Sequence, residues 1–478
     1  MKKFRILLLA GVLFCQLFSC KKDFDTVNTN PNGLSDAPYT NVLSGAILNL
    51  ATTVDQSLSY SYASAWAQQI ARTLYQEHDI YQPRDPGYAW RTMYLTAFNL
   101  QKLIDKADAT PNRKGVAMVL KAYAMQVITD MWGDVPYADA FKGDEGNFTP
   151  KYSDQRSIYL DLVSQLKTAN QLLSITSSGT DDIGAGDHIY FGDVSKWQKF
   201  CNSLLLRVYI RMSAKEPAIS KQGIEEIFGD PVKFPVFVTA SDNATLQYIN
   251  TPNEQNPIYS SYASNAIDVP SKLLTTMLKT KNDPRLLVYA DSATDKTLAD
   301  RFNGLQNGAS VVPTKTKLPS IGYQFVKSPV APTYLLTSEE VLFIAAEAAN
   351  NGWSVGITAK KAYEDAISAN MSRWGISTGS YLSQPTVDLD LVPDKGHAIA
   401  EQKWLALYFQ GCEAFSEVRR TGWPVLVEAP ASVYPGLGVA VRLPYPTSES
   451  ATNAANLSAV TAGIQHGMFG KKMWWANQ

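Results

Sequence analysis

The sequence predicts a mostly α-helical fold: a scaffold of irregular helix hairpins with long loops and a few short β-hairpins set into it. Two observations predict this. Apolar residues recur at three- and four-residue spacing over segments at roughly 38–58, 60–77, 88–108, 113–132, 154–174, 194–214, 337–350, 356–373 and 396–418. Between 229 and 335 that period gives way to short apolar runs and stretches rich in proline, asparagine and serine, which read as short strands in long loops.

Taken in order, several segments carry end signals. Asn112 and Asp154 stand where a short side chain accepts from an unpaired first-turn amide, so they read as N-caps. Thr337-Ser338-Glu339-Glu340 reads as a capping box, with the Thr337 hydroxyl facing the Glu340 amide and the Glu340 carboxylate making the return bond. Pro217, Pro270 and Pro424 mark boundaries. Val232 to Val238 reads as a strand. The run from Phe343 to Ala348, then Asn351-Gly352, then Ala359 to Ala366 places small residues where two helices must approach closely. That is the pattern of a tetratricopeptide-like hairpin, with a weaker echo in 113–132 followed by 154–174.

Composition removes whole classes of function. The net charge is −1, from 43 basic and 44 acidic residues that are dispersed rather than clustered, which argues against a nucleic-acid partner. The 24 tyrosines outnumber the 18 phenylalanines, which suits surfaces where a ring must be both apolar and hydrogen-bonding. Cys201 and Cys412 sit among apolar neighbours in helical segments, and two buried free thiols fit that setting better than one bridge. The histidines at 78, 188, 397 and 466 never fall at metal-binding spacing. Gly375-Ile376-Ser377-Thr378-Gly379 matches a nucleophile elbow but leaves a helix for a polar loop, so it reads as coincidence.

Asn28 to Gly33 imitates the start of a calcium loop, yet Tyr39 stands where the closing glutamate belongs. Asp388, Asp390 and Asp394 read as a solvated acidic loop. The expectation is therefore a protein with no catalytic residues, no metal ligands and no cofactor, although structural calcium stays open. Two carboxylates suffice for glycoside hydrolysis, so a glycan-cleaving protein remains an alternative.

The N-terminus reads as an address. Lys2, Lys3 and Arg5 precede an apolar stretch from Ile6 to Phe18 that is too short to span a bilayer, the layout of an export signal. Leu17-Phe18-Ser19-Cys20 resembles the lipobox of bacterial lipoproteins, which implies cleavage before Cys20 and a covalent lipid on that residue. The acidic residues in Lys21-Lys22-Asp23-Phe24-Asp25 resemble the signal by which Bacteroidetes send lipoproteins to the cell surface. The organisation follows: 1–19 a signal peptide, 20–37 a lipidated N-terminus and tether, and 38–478 a helical domain with a loop insertion around 229–335.

Several blocks then resemble one family in order along the chain. Lys196-Trp197-Gln198-Lys199-Phe200 through Arg207 and Arg211, Gly133-Asp134-Val135-Pro136-Tyr137, and Asp283-Pro284-Arg285-Leu286 resemble motifs of the SusD/RagB family. So do Leu336 to Trp353, Gln402-Lys403-Trp404 through Arg419-Arg420-Thr421-Gly422, and Arg442-Leu443-Pro444-Tyr445-Pro446. Asn30-Pro31-Asn32 is similar to the start of one SusD-like group within it. The resemblance implies a tetratricopeptide-like scaffold and an outer-membrane lipoprotein facing the extracellular side. It also implies a SusC-like TonB-dependent transporter as partner and an oligosaccharide as ligand, with a peptide ligand, as in the RagB branch, as the alternative. The motifs themselves read as scaffold residues: Trp197, Phe200, Leu204 and Arg207 form one helix face.

Ligand residues are sought where aromatic rings mix with hydrogen-bonding side chains outside periodic structure. One segment runs from Tyr75 through His78, Asp79, Tyr81, Arg84 and Tyr88 to Trp90; the other holds Tyr248, Asn250, Asn253, Asn256, Tyr259 and Tyr262. The candidates are Tyr81, Trp90, Tyr88, Asp79, Tyr259 and Asn256. For Trp90 and Tyr94, four residues apart, a buried helix face is the competing reading.

Overall fold

Helices that follow one another in the chain pack against one another. The computed structural model describes residues 37–106, 110–175 and 183–476, so the signal segment, Cys20 and the Asn28 to Gly33 turn lie outside the described residues. Gly87–Asp105 packs on Pro111–Trp132, which packs on Gln155–Leu173, then Val194–Met212, then Pro217–Gly229. Further along, Ser338–Asn350 packs on Ala359–Arg373, the tetratricopeptide-like hairpin. Its close approach comes from Ala345, Ala346, Ala362 and Ala366, whose small side chains share a buried cluster with Phe343 and Tyr363. The fold is mostly helical and tetratricopeptide-like, as the periodicity predicts.

The differences have physical causes. The 38–58 and 60–77 segments form one run: Tyr39–Thr52 continues into a π-helix at Thr53–Ala63 and ends at Ser64–Trp66. Beyond it, long-range bonds replace helical ones. Gln69 Nε2 donates to the Trp404 carbonyl at 2.8 Å, and Ile70–Arg72 becomes a strand. The 396–418 segment breaks into Lys395–Ala406 and Gly411–Thr421. At the break Gly411 lies so close to the π-helix that a Cβ would fall 2.8 Å from the Ser59 carbonyl oxygen.

Val232 to Val238 pairs with no strand. Pro231 and Pro235 lack ladder N–H groups, and the segment is held by the Val194–Met212 helix instead, through Asn202 to the Pro235 carbonyl (3.0 Å) and the Phe237 amide to Ser203 (2.9 Å). The predicted insertion also holds helices, Pro257–Ser264 and Lys272–Thr280 among them. Most of its ladders join distant segments: Ala244–Leu246 pairs with Thr333–Leu336, and Ile70–Arg72 with Asp268–Pro270.

The caps divide the same way. Asp154 accepts from the Ser157 amide at 2.9 Å as predicted, whereas the helix beginning at Pro111 is capped by Thr110 and not by Asn112. No capping box forms at Thr337, because the Glu340 carboxylate is engaged by Arg207 Nε and Nη2 at 2.7 and 2.6 Å. That pair belongs to a buried network. Arg211 reaches Asp130 and Glu413, Lys403 reaches Glu417, and Arg420 bridges Glu417 and Glu347. Trp197, Phe200 and Leu204 are fully buried, so the motif residues bind the scaffold together. Cys201 and Cys412 are free and buried, and burial pushes the Cys412 thiol up to about 12.

Candidate functional site

The first segment singled out from the sequence enters a set of interlocked loops with residues 267–270, just beyond the second, whose Tyr248 and Asn256 bond instead to Thr333 and Ala331. The Ile70–Arg72 ladder pairs Arg72 with Asp268; Arg72 Nε lies 3.1 Å from the Asp268 carboxylate, which also accepts from the Tyr60 hydroxyl at 2.7 Å. The amide and hydroxyl of Thr73 both donate to the Ile267 carbonyl at 2.9 Å. A third loop enters through Asn307, whose amide donates to Asp79 Oδ1 at 2.6 Å and to the Ile70 carbonyl at 2.7 Å. A fourth closes over these: the Ala431 amide bonds the Gly308 carbonyl, the Val433 amide bonds the Ile80 carbonyl, and Gln68 bonds Val427. Gly308 has φ +63°, and a Cβ there would sit 2.6 Å from Ala429 Cβ, so the crossing requires glycine.

These loops leave apolar groups in solvent. Leu74, Tyr75, Val311, Val425 and Val427 are all exposed, Tyr75 at 65%. Tyr75 also has φ +52°, in the left-handed region that a bulky side chain adopts only at a cost. Tyr81, with φ +59°, makes the informative contrast. Its ring is 3% exposed and packs edge-on against Phe469 at 5.5 Å, so packing offsets its strain. No such packing offsets the strain at Tyr75.

The loops around Tyr75 carry little net charge. Burial raises the Asp79 carboxyl to about 7, with the Asn307 and Arg72 hydrogen bonds pulling the other way. Burial, then the charges of Arg72 and Arg84, pushes His78 down to about 3, so its imidazole is neutral where it lies 4.1 Å from the Tyr62 ring. Arg72 is paired to Asp268 and Arg84 to Glu77. A face with its arginines paired off and the Tyr75 ring exposed among aliphatic side chains suits an uncharged ligand.

The structure gives most of the predicted ligand residues other work. Asp79 is 1% exposed and ties the loops together, and Tyr81 is core. Asn256, 2% exposed, caps Pro257–Ser264 by accepting from the Ile258 and Tyr259 amides and donates to the Ala331 carbonyl. Trp90 is 6% exposed against Trp132 and Tyr94, which decides for the buried-face reading. These four are corrected from open ligand contacts to supports. Tyr259 is half-buried on its helix, and Tyr88 is exposed in a groove described below. The aliphatic residues Leu74, Val311, Val425 and Val427 escape a search keyed to rings and amides. The Asp388 and Asp390 carboxylates are bridged by Lys360 at 2.7 and 2.8 Å, and Asp394 caps the Lys395–Ala406 helix. Among the described residues no group of three or more His, Cys, Asp or Glu side chains could hold a metal ion.

A stiff helical scaffold that presents a loop-built face defines the class: a ligand-binding scaffold protein. Residues 31–446 match the SusD-like family described as starch-binding and associating with the outer membrane, and the chain belongs to that family. Solved structures agree. A chitin-binding protein is 25% identical with TM-score 0.79, covering 92% of this chain and 100% of its own. A chitin-binding SusD homologue from Flavobacterium johnsoniae is 23% identical with TM-score 0.79, covering 91% and 99%. A SusD-like protein from Bacteroides thetaiotaomicron VPI-5482 is 22% identical with TM-score 0.79, covering 92% and 99%. No curated protein matches the chain.

Proposed function

We propose that this chain is a surface-exposed outer-membrane lipoprotein, held by a lipid on Cys20, that binds an extracellular oligosaccharide and passes it to a SusC-like TonB-dependent transporter. It binds and does not cleave. Among the described residues no helix is long and apolar enough to cross a membrane. The observation that carries the binding face is Tyr75: an exposed ring on a strained backbone, on loops fixed to a rigid scaffold. A sugar ring offers an apolar C–H face to such a tyrosine and hydroxyls to the polar groups around it.

The family's starch-binding description supports a glycan ligand, and two chitin-binding structural relatives make β-linked N-acetylglucosamine chains the first class to try. The test is isothermal titration of the purified protein and its Tyr75→Ala variant with soluble chito-oligosaccharides and malto-oligosaccharides. The expected result is saturable heat with at least one series, weakened several-fold in the variant. Heat from peptides alone would overturn the glycan reading, and release of shorter sugars would overturn the non-enzymatic one.

A further inference from the structure

We propose that the open groove beside the Gly87–Asp105 helix is a second saccharide-binding site, distinct from the Tyr75 face; only the class of its ligand rests on the reading above. The groove measures about 780 Å3 and lies between that helix, the 136–150 loop and the Thr447–Thr452 helix. Its floor is aromatic: Tyr94 packs at a tilt against the supporting Trp90 at 4.7 Å, and Phe98 and Phe141 stand 6.3 Å apart. Tyr88 and Phe148 rise from the lining with 63% and 78% of their surface in water.

The loop that carries Phe148 is built to hold it there. Asp139 accepts from the Lys151 amide at 3.2 Å and pairs with Lys142 at 3.1 Å, and the Lys151 bond holds the Asp139 carboxyl down at about 2. Within the loop Phe141 keeps φ +66°. Two exposed rings on a stapled loop and a helix contribute nothing to the core. Such rings are the part of a binding site that is formed before the ligand arrives.

The polar groups select the occupant. Asp85 is already satisfied by the Thr447 hydroxyl at 2.5 Å and the Gly87 amide at 2.9 Å. Glu449 Oε2 accepts from the Tyr152 hydroxyl at 2.6 Å, which leaves Oε1 unbonded. Arg91 lines the groove, is exposed, and makes no ion pair or side-chain hydrogen bond with the described residues. The unused capacity thus includes one guanidinium and one carboxylate oxygen beside exposed rings. Hydroxyls both donate and accept, so a neutral sugar chain can use both groups along with the ring faces. An acyl chain would leave both groups unpaired, and an anion would meet the carboxylate.

Two separate sites on one scaffold let a long glycan engage twice, so binding strengthens with chain length without any new contact. The experiment is calorimetry with chitohexaose and maltohexaose on the wild type, Tyr75→Ala, and the double variant Tyr88→Ala/Phe148→Ala. Both rings of the double variant are exposed, so its fold survives, and thermal melting checks that. The expected result is two sugars bound per wild-type chain, with one of the two sites weakened several-fold in Tyr75→Ala and the other weakened several-fold in the double variant.

One bound sugar that is unaffected in the double variant overturns the groove and leaves the Tyr75 face standing. Two sugars bound by the double variant with both affinities unchanged from the wild type overturn it equally. One bound sugar that is lost in the double variant but kept in Tyr75→Ala upholds the groove and overturns the Tyr75 face. No heat from either sugar with the wild type overturns both.

Discussion

Replacing Tyr75 by glycine separates the loss of a binding ring from damage to the fold. Its backbone sits at φ +52°, where an L side chain costs roughly 1–2 kcal/mol and glycine costs nothing sterically. Glycine loses about 0.5–1 kcal/mol in the other direction through the greater freedom of its unfolded chain. The ring is 65% exposed, so little packing is forfeited. The net expectation is stability unchanged or raised by up to about 1.5 kcal/mol. Binding should move the opposite way. Losing one ring from a stacked contact costs about 0.5–1.5 kcal/mol, or roughly a 2- to 12-fold rise in Kd. Urea denaturation and calorimetry on the same preparation read both quantities. A variant that is destabilised by more than about 1 kcal/mol and binds sugar normally would refute the reasoning, because Tyr75 would then be a packing residue whose strain is compensated.

Three further outcomes are expected. Arg207→Ala strands the buried Glu340 carboxylate and should cost about 3–5 kcal/mol in denaturant melts, while Arg207→Met together with Glu340→Gln should recover most of it. Asp55 is buried with the Thr333 hydroxyl as its hydrogen-bond partner, and burial raises its carboxyl to about 7. Its folded-state pKa therefore lies above the unfolded one, so its contribution to stability is full below pH about 4 and is lost as pH rises to about 7. Asp55→Asn should accordingly match the wild type at pH 4 and exceed it at pH 8, by at most about 4 kcal/mol, when melting is compared at the two values. Cys20→Ala should release the protein from the outer-membrane fraction into the soluble one, as detected by fractionation and immunoblotting.

The hairpins are legible because a helix face repeats every three or four residues, and Ala345, Ala346, Ala362 and Ala366 announce close packing in the sequence itself. The π-helix at Thr53–Ala63 is not, since its residues carry no period that distinguishes it from an α-helix. The capping box at Thr337 fails for a tertiary reason: the local pattern is correct, but a guanidinium 133 positions away competes for Glu340. The site is half legible in the same sense. Local composition finds the segment around Tyr75, yet it cannot show that Asn307 and Val427 close over Asp79 and Gln68, at separations of 228 and 359 residues. Those closures bury Asp79, Phe469 packs over Tyr81, and Tyr75 stays outside, so the ring that stays exposed is decided by loops distant in sequence.

The most direct test of the account is a crystal structure of the protein soaked with the oligosaccharide that gives the largest calorimetric response. The account predicts a sugar ring stacked on Tyr75, within reach of the loops at 307–312 and 425–433. Saturating sugar that binds elsewhere, with the Tyr75 face bare, would contradict it.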